Sequence, residues 1–278
     1  MRNSPTRPRP AYLNSPSRAS SIGIRYLLTL MTSEFRPHDL VWTRENSNRI
    51  WEYISANPAW GEAYFSRQVG DDLIAQVRRR VPLRGSVLDF GCGQGFLLEK
   101  MVAAGIACQG VDFSAKSVEL TNGRLKGNPL FKGALVLESL PAPLPDRSFD
   151  AIFFIETIEH VIGEDLPALI RELHRLLRPG GHLVVTTRND ESLEASKILC
   201  PECGCTFHQM QHVSSWSAAS LASTLAGYGF QRVFCEGLVF APRVKFGALG
   251  RWLYRKAYRT FKRSVPNLLY IGTATSSS

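Results

Sequence analysis

Short apolar runs alternate with amphipathic segments through most of the chain after residue 84. Short apolar runs bounded by glycine, proline or polar residues are typical of buried strands, and a 3.6-residue period between them is typical of helices. Strands are predicted at 86–90, 107–111, 134–137, 150–155, 182–187, 231–236 and 268–272, and helices at 94–104, 114–124, 165–178 and 221–228. This alternation predicts an α/β fold with a mostly parallel sheet and helices on both faces.

A helical segment precedes the first predicted strand. Residues 39–80 contain many aromatic residues in a helical context, so 31–82 are predicted to form an N-terminal helical cap. One interpretation is that this cap only packs on the core. The other is that it also covers a cofactor or shapes the pocket for a second substrate.

The first thirty residues differ from the rest in composition. They are rich in proline, serine and arginine and contain no acidic residue, a composition that does not support a packed core. We therefore predict that 1–30 is a disordered leader or a mis-assigned start, with Met31 as the alternative first residue. An organelle transit peptide is disfavoured because prolines interrupt any amphipathic helix there.

Composition limits the class of protein. The chain has 278 residues, of which 44% are hydrophobic, enough for one α/β core with an appendage. No apolar run approaches the ~18 residues of a membrane span. The net charge of +9 comes from the two ends, and the middle is mildly acidic. Six cysteines without a secretory signal predict a reduced, intracellular chain, which we expect to be cytoplasmic.

A glycine-rich turn follows the first predicted strand. Residues 86–95 read Ser-Val-Leu-Asp-Phe-Gly-Cys-Gly-Gln-Gly, an apolar run followed by alternate glycines and then a helical segment. Strand, glycine loop and helix let a backbone approach a nucleotide closely. The G-x-G-x-G spacing differs from the G-x-G-x-x-G of dinucleotide-binding loops, because Phe96 replaces the third glycine. Asp89, just before the loop, suits an amine-bearing ligand better than a pyrophosphate.

The second predicted strand ends in Asp112, whose carboxylate can hold two ribose hydroxyls, and Phe113 offers an apolar surface for a base. V-L-D-F-G-C-G-Q-G followed by G-V-D-F-S resembles motifs of the class I S-adenosylmethionine-dependent methyltransferases. Segments 140–150, 155–161 and 177–185 fit the same family.

The resemblance implies a Rossmann-like, seven-stranded, mostly parallel sheet with the last strand antiparallel. It also implies a methyltransferase domain at 83–278 and S-adenosylmethionine as the cofactor. A nicotinamide or flavin enzyme and a non-catalytic cofactor-binding scaffold are the alternatives.

By the same resemblance, a set of residues around the glycine loop would bind the cofactor. They are Asp89, Gly91, Cys92, Gly93, Gly95, Asp112, Phe113 and Ser139. Asp89 would lie near the amine, Asp112 at the ribose and Phe113 against the adenine. The loop after the third strand departs from the family pattern, since Val136 stands where an acid is expected and Glu138 follows two residues later.

The string Glu156-Thr-Ile-Glu159-His160 follows the fourth predicted strand, at the sheet edge where acceptors bind. Glu156, Glu159 and His160 are the candidate catalytic residues, because two carboxylates and an imidazole can hold Mg²⁺ or Mn²⁺ or supply a general base. The string resembles the metal site of ubiquinone-pathway O-methyltransferases and of small-RNA 2′-O-methyltransferases. In the latter group a downstream histidine, here His212, would complete the site. A purely structural role is the third alternative.

A cysteine-rich turn lies in an insert at 196–217. Cys200-Pro-Glu-Cys203-Gly-Cys205 has the spacing of a turn that presents thiolates to Zn²⁺, and His208 and His212 could complete the ligands. Thiolates favour zinc, whereas the Glu/Glu/His set favours magnesium or manganese, so the two sites compete for His212. The alternative is a reduced turn without metal.

The segment 241–266 is basic, and within it 246–263 combines aromatic residues with cations at helical spacing. Three interpretations remain open: a cap on the active site, a membrane-surface helix near a lipid-linked substrate, or a nucleic-acid patch. We expect a small-molecule, sugar or lipid-linked glycan hydroxyl as the acceptor, with peripheral membrane contact as a possible partner interaction. Quinone precursors and RNA hydroxyls are lesser options, and nucleic acid is not an expected partner.

Overall fold

The computed structural model describes residues 35–242, 247–262 and 265–275. The strands are β1 (His38–Asp39), β2 (Val87–Phe90), β3 (Cys108–Asp112), β4 (Phe131–Val136), β5 (Phe149–Ile155), β6 (Leu177–Arg188), β7 (Lys197–Leu199), β8 (Cys205–His208), β9 (Phe230–Leu238) and β10 (Asn267–Ala274). The α-helices are α1 (Arg44–Ala56), α2 (Phe65–Arg78), α3 (Phe96–Ala103), α4 (Ala115–Arg124), α5 (Leu166–Leu176), α6 (Ala218–Ala226) and α7 (Gly247–Lys262).

Seven of the strands form one sheet in the order β4-β3-β2-β5-β6-β10-β9. The strands from β4 to β6 pair in parallel, whereas β10 runs antiparallel to both of its neighbours, β6 and β9. The predicted α/β class is confirmed, including the antiparallel insertion of the last strand.

Side chains of β5 alternate between two apolar clusters. Ile152 and Phe154 belong to one cluster, together with Leu173 of α5. Phe153 belongs to the other, together with Leu97 of α3. A parallel sheet that is covered on both faces needs apolar residues at every position. This explains why the predicted strands appear as continuous apolar runs rather than as alternating ones.

The predicted helical region before the sheet contains α1 and α2. Thr43 begins α1 with a capping box, because its side chain accepts a hydrogen bond from the Asn46 backbone and the Asn46 side chain accepts one from the Thr43 backbone. Leu73 and Val77 of α2 are fully buried in the cluster that contains Leu97. The assignment of 31–82 as a separate cap stays a prediction.

A small compact unit combines the described residues before Leu40 with Leu199–Thr206, and the remaining residues form the larger unit. Within the small unit β1 pairs in parallel with the start of β8, placing His38 opposite Cys205. The sequence did not predict these strands, because they are short and lack apolar runs.

No helix within the described ranges is long and apolar enough to cross a bilayer. The prediction for 1–30 lies outside the described residues.

Candidate active site

A cavity of about 590 Å³ lies at the carboxyl ends of the central parallel strands. Residues that directly follow β2, β3 and β5 line it, among them Gly91, Phe113 and Glu156. Trp60, in a turn between α1 and α2, and Tyr258 of α7 also line it. Ligands of open α/β sheets bind at this edge. The cavity therefore holds both predicted groups of residues, the glycine loop and the Glu/Glu/His string.

The glycine loop leaves no room for side chains. Gly91 has a φ of +83°, and a Cβ there would lie 2.8 Å from Thr157 Oγ1. Gly93 has a φ of +50°, and a Cβ there would lie 3.0 Å from Tyr64 Cε1. Both the positive φ and the close neighbours require glycine. The loop thus presents bare backbone to the cavity, as a closely bound ligand needs.

Asp112 is fixed by the backbone around it. Its carboxylate accepts hydrogen bonds from Gly93 N at 2.8 Å and from Ser114 N at 2.9 Å. Burial raises the pKa of Asp112 to about 6, and these two backbone donors act in the opposite direction. A carboxylate has about four lone-pair sites. Two remain for a ligand, which matches the two hydroxyls of a ribose.

Asp89 is the second acid at this end of the cavity. It is only 2% exposed, and burial, followed by the nearby Asp112, raises its pKa to about 8. A buried carboxylate becomes stable as an anion when a cation lies beside it. The position therefore suits a ligand that carries an amine, and the contact of Asp89 with the cofactor amine stays a prediction.

Some of the other predicted cofactor residues line the cavity and others do not. Cys92 is buried and lines the cavity, as does Phe113, which is 39% exposed. Gly95 is the N-cap of α3, and Ser139 is exposed. Neither is among the described residues that line the cavity. Their roles in cofactor binding stay predictions.

Glu156 and Glu159 bring two carboxyl groups into the same cavity. Glu156 follows β5 with a φ of +47°, an uncommon conformation for a residue with a side chain. Its Oε1 and both carboxylate oxygens of Glu159 are buried with no hydrogen-bond partner among the described residues. Burial raises the pKa of Glu156 to about 7. Burial, and then the charge of Glu156, raises the pKa of Glu159 well above its usual value.

His160 has a neutral imidazole held by the Gln211 backbone. Burial, and then the neighbouring His212, lowers its pKa to about 3. Its Nδ1 lies 3.3 Å from the Gln211 carbonyl, to which it donates in the neutral form. This leaves Nε2 as a lone-pair donor.

Gln211 and Trp51 hold the main chain around His160. The Gln211 side chain donates to the His160 carbonyl at 3.0 Å and accepts from Trp51 Nε1 at 2.8 Å. Trp51 lies on α1, and its ring makes an edge contact with the His160 ring at 4.7 Å between centroids. Helix α1 therefore supports the Glu156–His160 string, and Trp51 on this helix lines the cavity.

His212 and His208 complete the polar cluster. The His212 Nδ1 is hydrogen-bonded to Glu191, so its Nε2 is left as a lone-pair donor. The His208 ring stacks on His212 with 4.3 Å between centroids. Its Nδ1 accepts from the backbone N–H groups of Met210 and His212. A carboxylate that holds the far nitrogen of an imidazole is the usual support of a metal-binding histidine.

Two groups of potential metal ligands meet at His212. One is Glu159, His160 and His212, and the other is Glu191, His208 and His212, each with its ligand atoms within 4.8 Å of one another. Buried carboxylates without partners among the described residues, beside two imidazoles, form a set that fits a divalent cation.

The three thiols of the cysteine turn form a separate group in the small unit. The ligand atoms of Cys200, Cys203 and Cys205 lie within 4.8 Å of one another, and the Cys203 and Cys205 sulfurs are 3.3 Å apart. His208 and His212 belong to the larger unit. A zinc site shared between these thiols and the histidines stays a prediction.

Sequence reasoning missed Glu191, Gln211 and Trp51 as parts of the site. Glu191 meets His212 across 21 residues, and Gln211 meets Trp51 across 160 residues. Only the fold brings them together, and no local spacing marks them. The sequence segments around His160 and His212 were the only local indication of where the site lies.

Known proteins resemble this chain in sequence and in fold. A family model described as a methyltransferase domain matches residues 63–233, which is more than half of the chain. A crystal structure of an S-adenosylmethionine dependent methyltransferase from Mesorhizobium loti superimposes with a TM-score of 0.54 at 18% identity, covering 73% of this chain and 97% of that one. This likeness shows a shared fold.

Two curated relatives are similar in sequence. A ubiquinone biosynthesis O-methyltransferase from Chromobacterium violaceum is 34% identical over 105 residues, 37% of this chain and 44% of the relative. A malonyl-[acyl-carrier protein] O-methyltransferase from Erwinia pyrifoliae is 30% identical over 180 residues, 63% of this chain and 66% of the relative. The chain thus spans less than half of the first relative and just under two thirds of the second.

Proposed function

Since the chain belongs to the class I S-adenosylmethionine-dependent methyltransferases, we propose that it methylates a hydroxyl oxygen of a small acceptor. A divalent cation held by Glu156, Glu159, His160 and His212 would assist the reaction. Both curated relatives are named as O-methyltransferases, which supports oxygen as the methylated atom.

S-adenosylmethionine supplies an electrophilic methyl group on a sulfonium. The residues at the β2 and β3 ends fit this molecule. Asp112 would take the ribose hydroxyls, and Asp89 would take the amine, whose positive charge offsets a buried carboxylate. The bare backbone at Gly91 and Gly93 would let the amino-acid part approach the loop closely.

One observation carries the proposal of a cation. Three carboxylate oxygens of Glu156 and Glu159 are buried without a hydrogen-bond partner among the described residues. Ionised carboxylates at such positions are costly unless a cation compensates them. His160 and His212 each bond through Nδ1, to Gln211 and Glu191, which leaves both Nε2 atoms to bind.

When bound, a divalent cation lowers the pKa of a coordinated hydroxyl and so makes it a better nucleophile at neutral pH. Because half of the proposed ligands are imidazoles, the set favours a first-row transition ion over Mg²⁺. The protein itself would hold the acceptor oxygen in line with the methyl group and exclude water. Aromatic residues of the cavity, including Trp60, Phe240 and Tyr258, would supply that exclusion.

The first test of the proposed cation measures how much Mn²⁺ the protein binds. Electron paramagnetic resonance with Mn²⁺ should find about one ion bound per wild-type chain. Glu159→Gln should weaken binding by about tenfold or more, because it removes a ligand and a charge but keeps the shape. Glu138→Gln, at an exposed position, is the matched control and should bind as wild type does.

Absence of binding of Mn²⁺, Zn²⁺ and Co²⁺ to the wild type would overturn the metal assignment. Glu156 and His160 would then be a metal-free acid–base pair. The methylated atom is tested separately, by mass spectrometry and NMR of products formed from phenols, sugars and amines. Transfer only to nitrogen or carbon would refute the proposal of a hydroxyl acceptor.

A further inference from the structure

Helix α7 lies between β9 and β10 and has two unlike faces. On the inner face, Arg255 Nη2 lies 2.6 Å from Asp72 Oδ2 and Arg251 Nε lies 3.7 Å from Asp72 Oδ1. Asp72 is buried at 3% exposure. Tyr254 and Tyr258, on the same side of the helix, line the active-site cavity. The inner face therefore belongs to the protein and to its active site.

The outer face of α7 is apolar and basic. Leu249 is 61% exposed, Trp252 54% and Leu253 50%. Lys256 lies between them on the helix surface, with its Nζ 5.3 Å from the centre of the Trp252 ring. Arg259 and Lys262, about one and two turns after Lys256, are also exposed. The helix sequence contains no acidic residue.

The cations on the outer face of α7 form no ion pair with the rest of the described protein. α7 carries five cations, Arg251, Arg255, Lys256, Arg259 and Lys262. The first two pair with Asp72. The other three have no acidic partner among the described residues and surround exposed apolar side chains. Large apolar side chains in the middle of a cationic helix face are the pattern of a helix that lies in the headgroup region of a bilayer.

We propose that α7 lies on the surface of an anionic lipid bilayer and that the acceptor is an amphiphile taken up from that bilayer. The substrate class rests on the proposed function, whereas the membrane contact does not. Trp252, Leu249 and Leu253 enter the headgroup region, and Lys256, Arg259 and Lys262 contact anionic headgroups. Tyr254 and Tyr258 place the cavity directly behind the membrane-bound face.

Charge distinguishes this occupant from a second copy of the chain. A two-fold dimer through the outer face would bring α7 against itself and so place cations opposite cations. An anionic surface has the complementary charge. Leucines at the centre of the face have no stacking role with bases, so nucleic acid fits less well.

Vesicle flotation at low salt tests the contact. Wild-type protein should float with phosphatidylcholine vesicles that contain phosphatidylglycerol and stay behind with phosphatidylcholine alone. Moderate salt should release it. The variant Lys256→Gln/Arg259→Gln/Lys262→Gln should lose about a hundredfold in vesicle affinity, since each cation near the surface contributes about fivefold. Arg255 is left intact because it holds the helix to Asp72.

The control is Lys126→Gln/Lys132→Gln, which removes two exposed cations near β4, at the opposite edge of the sheet from β9, and should float as wild type does. Glu159→Gln should also float normally, which separates this proposal from that of the cation. Wild type that does not bind anionic vesicles at low salt would overturn the proposal. Unchanged binding of the triple variant would also overturn it, as would a dimer in solution that buries Trp252. Displacement of the protein from the vesicles by RNA of the same total negative charge would point to nucleic acid instead.

Discussion

Replacing Glu156 by Gln tests whether the acids of the site are uncompensated in the metal-free protein. Burial raises the pKa of Glu156 from 4.5 to about 7. Because the folded pKa is above the unfolded one, the carboxyl group reduces stability progressively as the pH rises from 4.5 to 7, and the full reduction is present above 7. A difference of this size corresponds to about 3 kcal/mol.

Glutamine has the same shape and no charge. With EDTA at pH 8, Glu156→Gln should therefore melt at a higher temperature than the wild type, by roughly 5–10 °C for a domain of this size. At pH 4 the two should melt together. Added Mn²⁺ should narrow this difference, because ion at about a hundred times the wild-type Kd stabilises the wild type by about 2.7 kcal/mol and the variant by less.

Differential scanning fluorimetry across pH, with EDTA or with Mn²⁺, measures all of these values. Glu138→Gln is the control and should follow the wild type under every condition. If Glu156→Gln is less stable than the wild type in EDTA at pH 8, the carboxylate has a compensating partner within the protein. If Mn²⁺ raises both melting temperatures equally, Glu156 does not bind the ion. Either result would refute the reasoning.

Three further predictions concern other parts of the molecule. Asp112→Ala should weaken S-adenosylhomocysteine binding by about 1–3 kcal/mol in calorimetry, because charge-assisted hydrogen bonds are lost; unchanged affinity would exclude Asp112 as the ribose ligand. Arg255→Gln should lower the free energy of unfolding by about 3 kcal/mol in urea titrations, since it leaves the buried Asp72 with a weaker partner; an unchanged midpoint would show that α7 is not held by this pair. Zinc analysis should find about one ion per chain, lost in Cys203→Ser and kept in Cys235→Ser; zinc-free wild type would mean a reduced turn without metal.

The sheet could be predicted from the sequence because burial on both faces imposes continuous apolar runs. The strands β5 and β10 are examples, with apolar, aromatic or small residues at their centres. β7 and β8 could not be predicted, since they have only three and four residues and lack a longer apolar run. Their pairing depends on neighbours that no local pattern identifies.

The candidate site was predictable where its residues lie on one strand end and not where distant segments meet. The residues from Glu156 to His160 can be recognised as site candidates in the sequence because they directly follow a buried strand. Glu191 does not, although it orients His212. The basic segment at α7 is a second case in which the sequence alone could not assign the residues. The spacing of cations on 246–263 left a cap, a membrane-surface helix and a nucleic-acid patch open. Arg255 lies against the buried Asp72, and only the fold separates this cation from the exposed ones.

Methyl transfer with a controlled metal content tests the central claim most directly. Protein freed of metal by chelation would be mixed with labelled S-adenosylmethionine and a set of hydroxyl acceptors, with and without added Mn²⁺, and the O-methyl product would be measured by mass spectrometry. We predict that Mn²⁺ restores product formation by at least about a hundredfold in the wild type and not in Glu159→Gln. Equal product formation by the metal-free and the metal-loaded wild type would contradict the account.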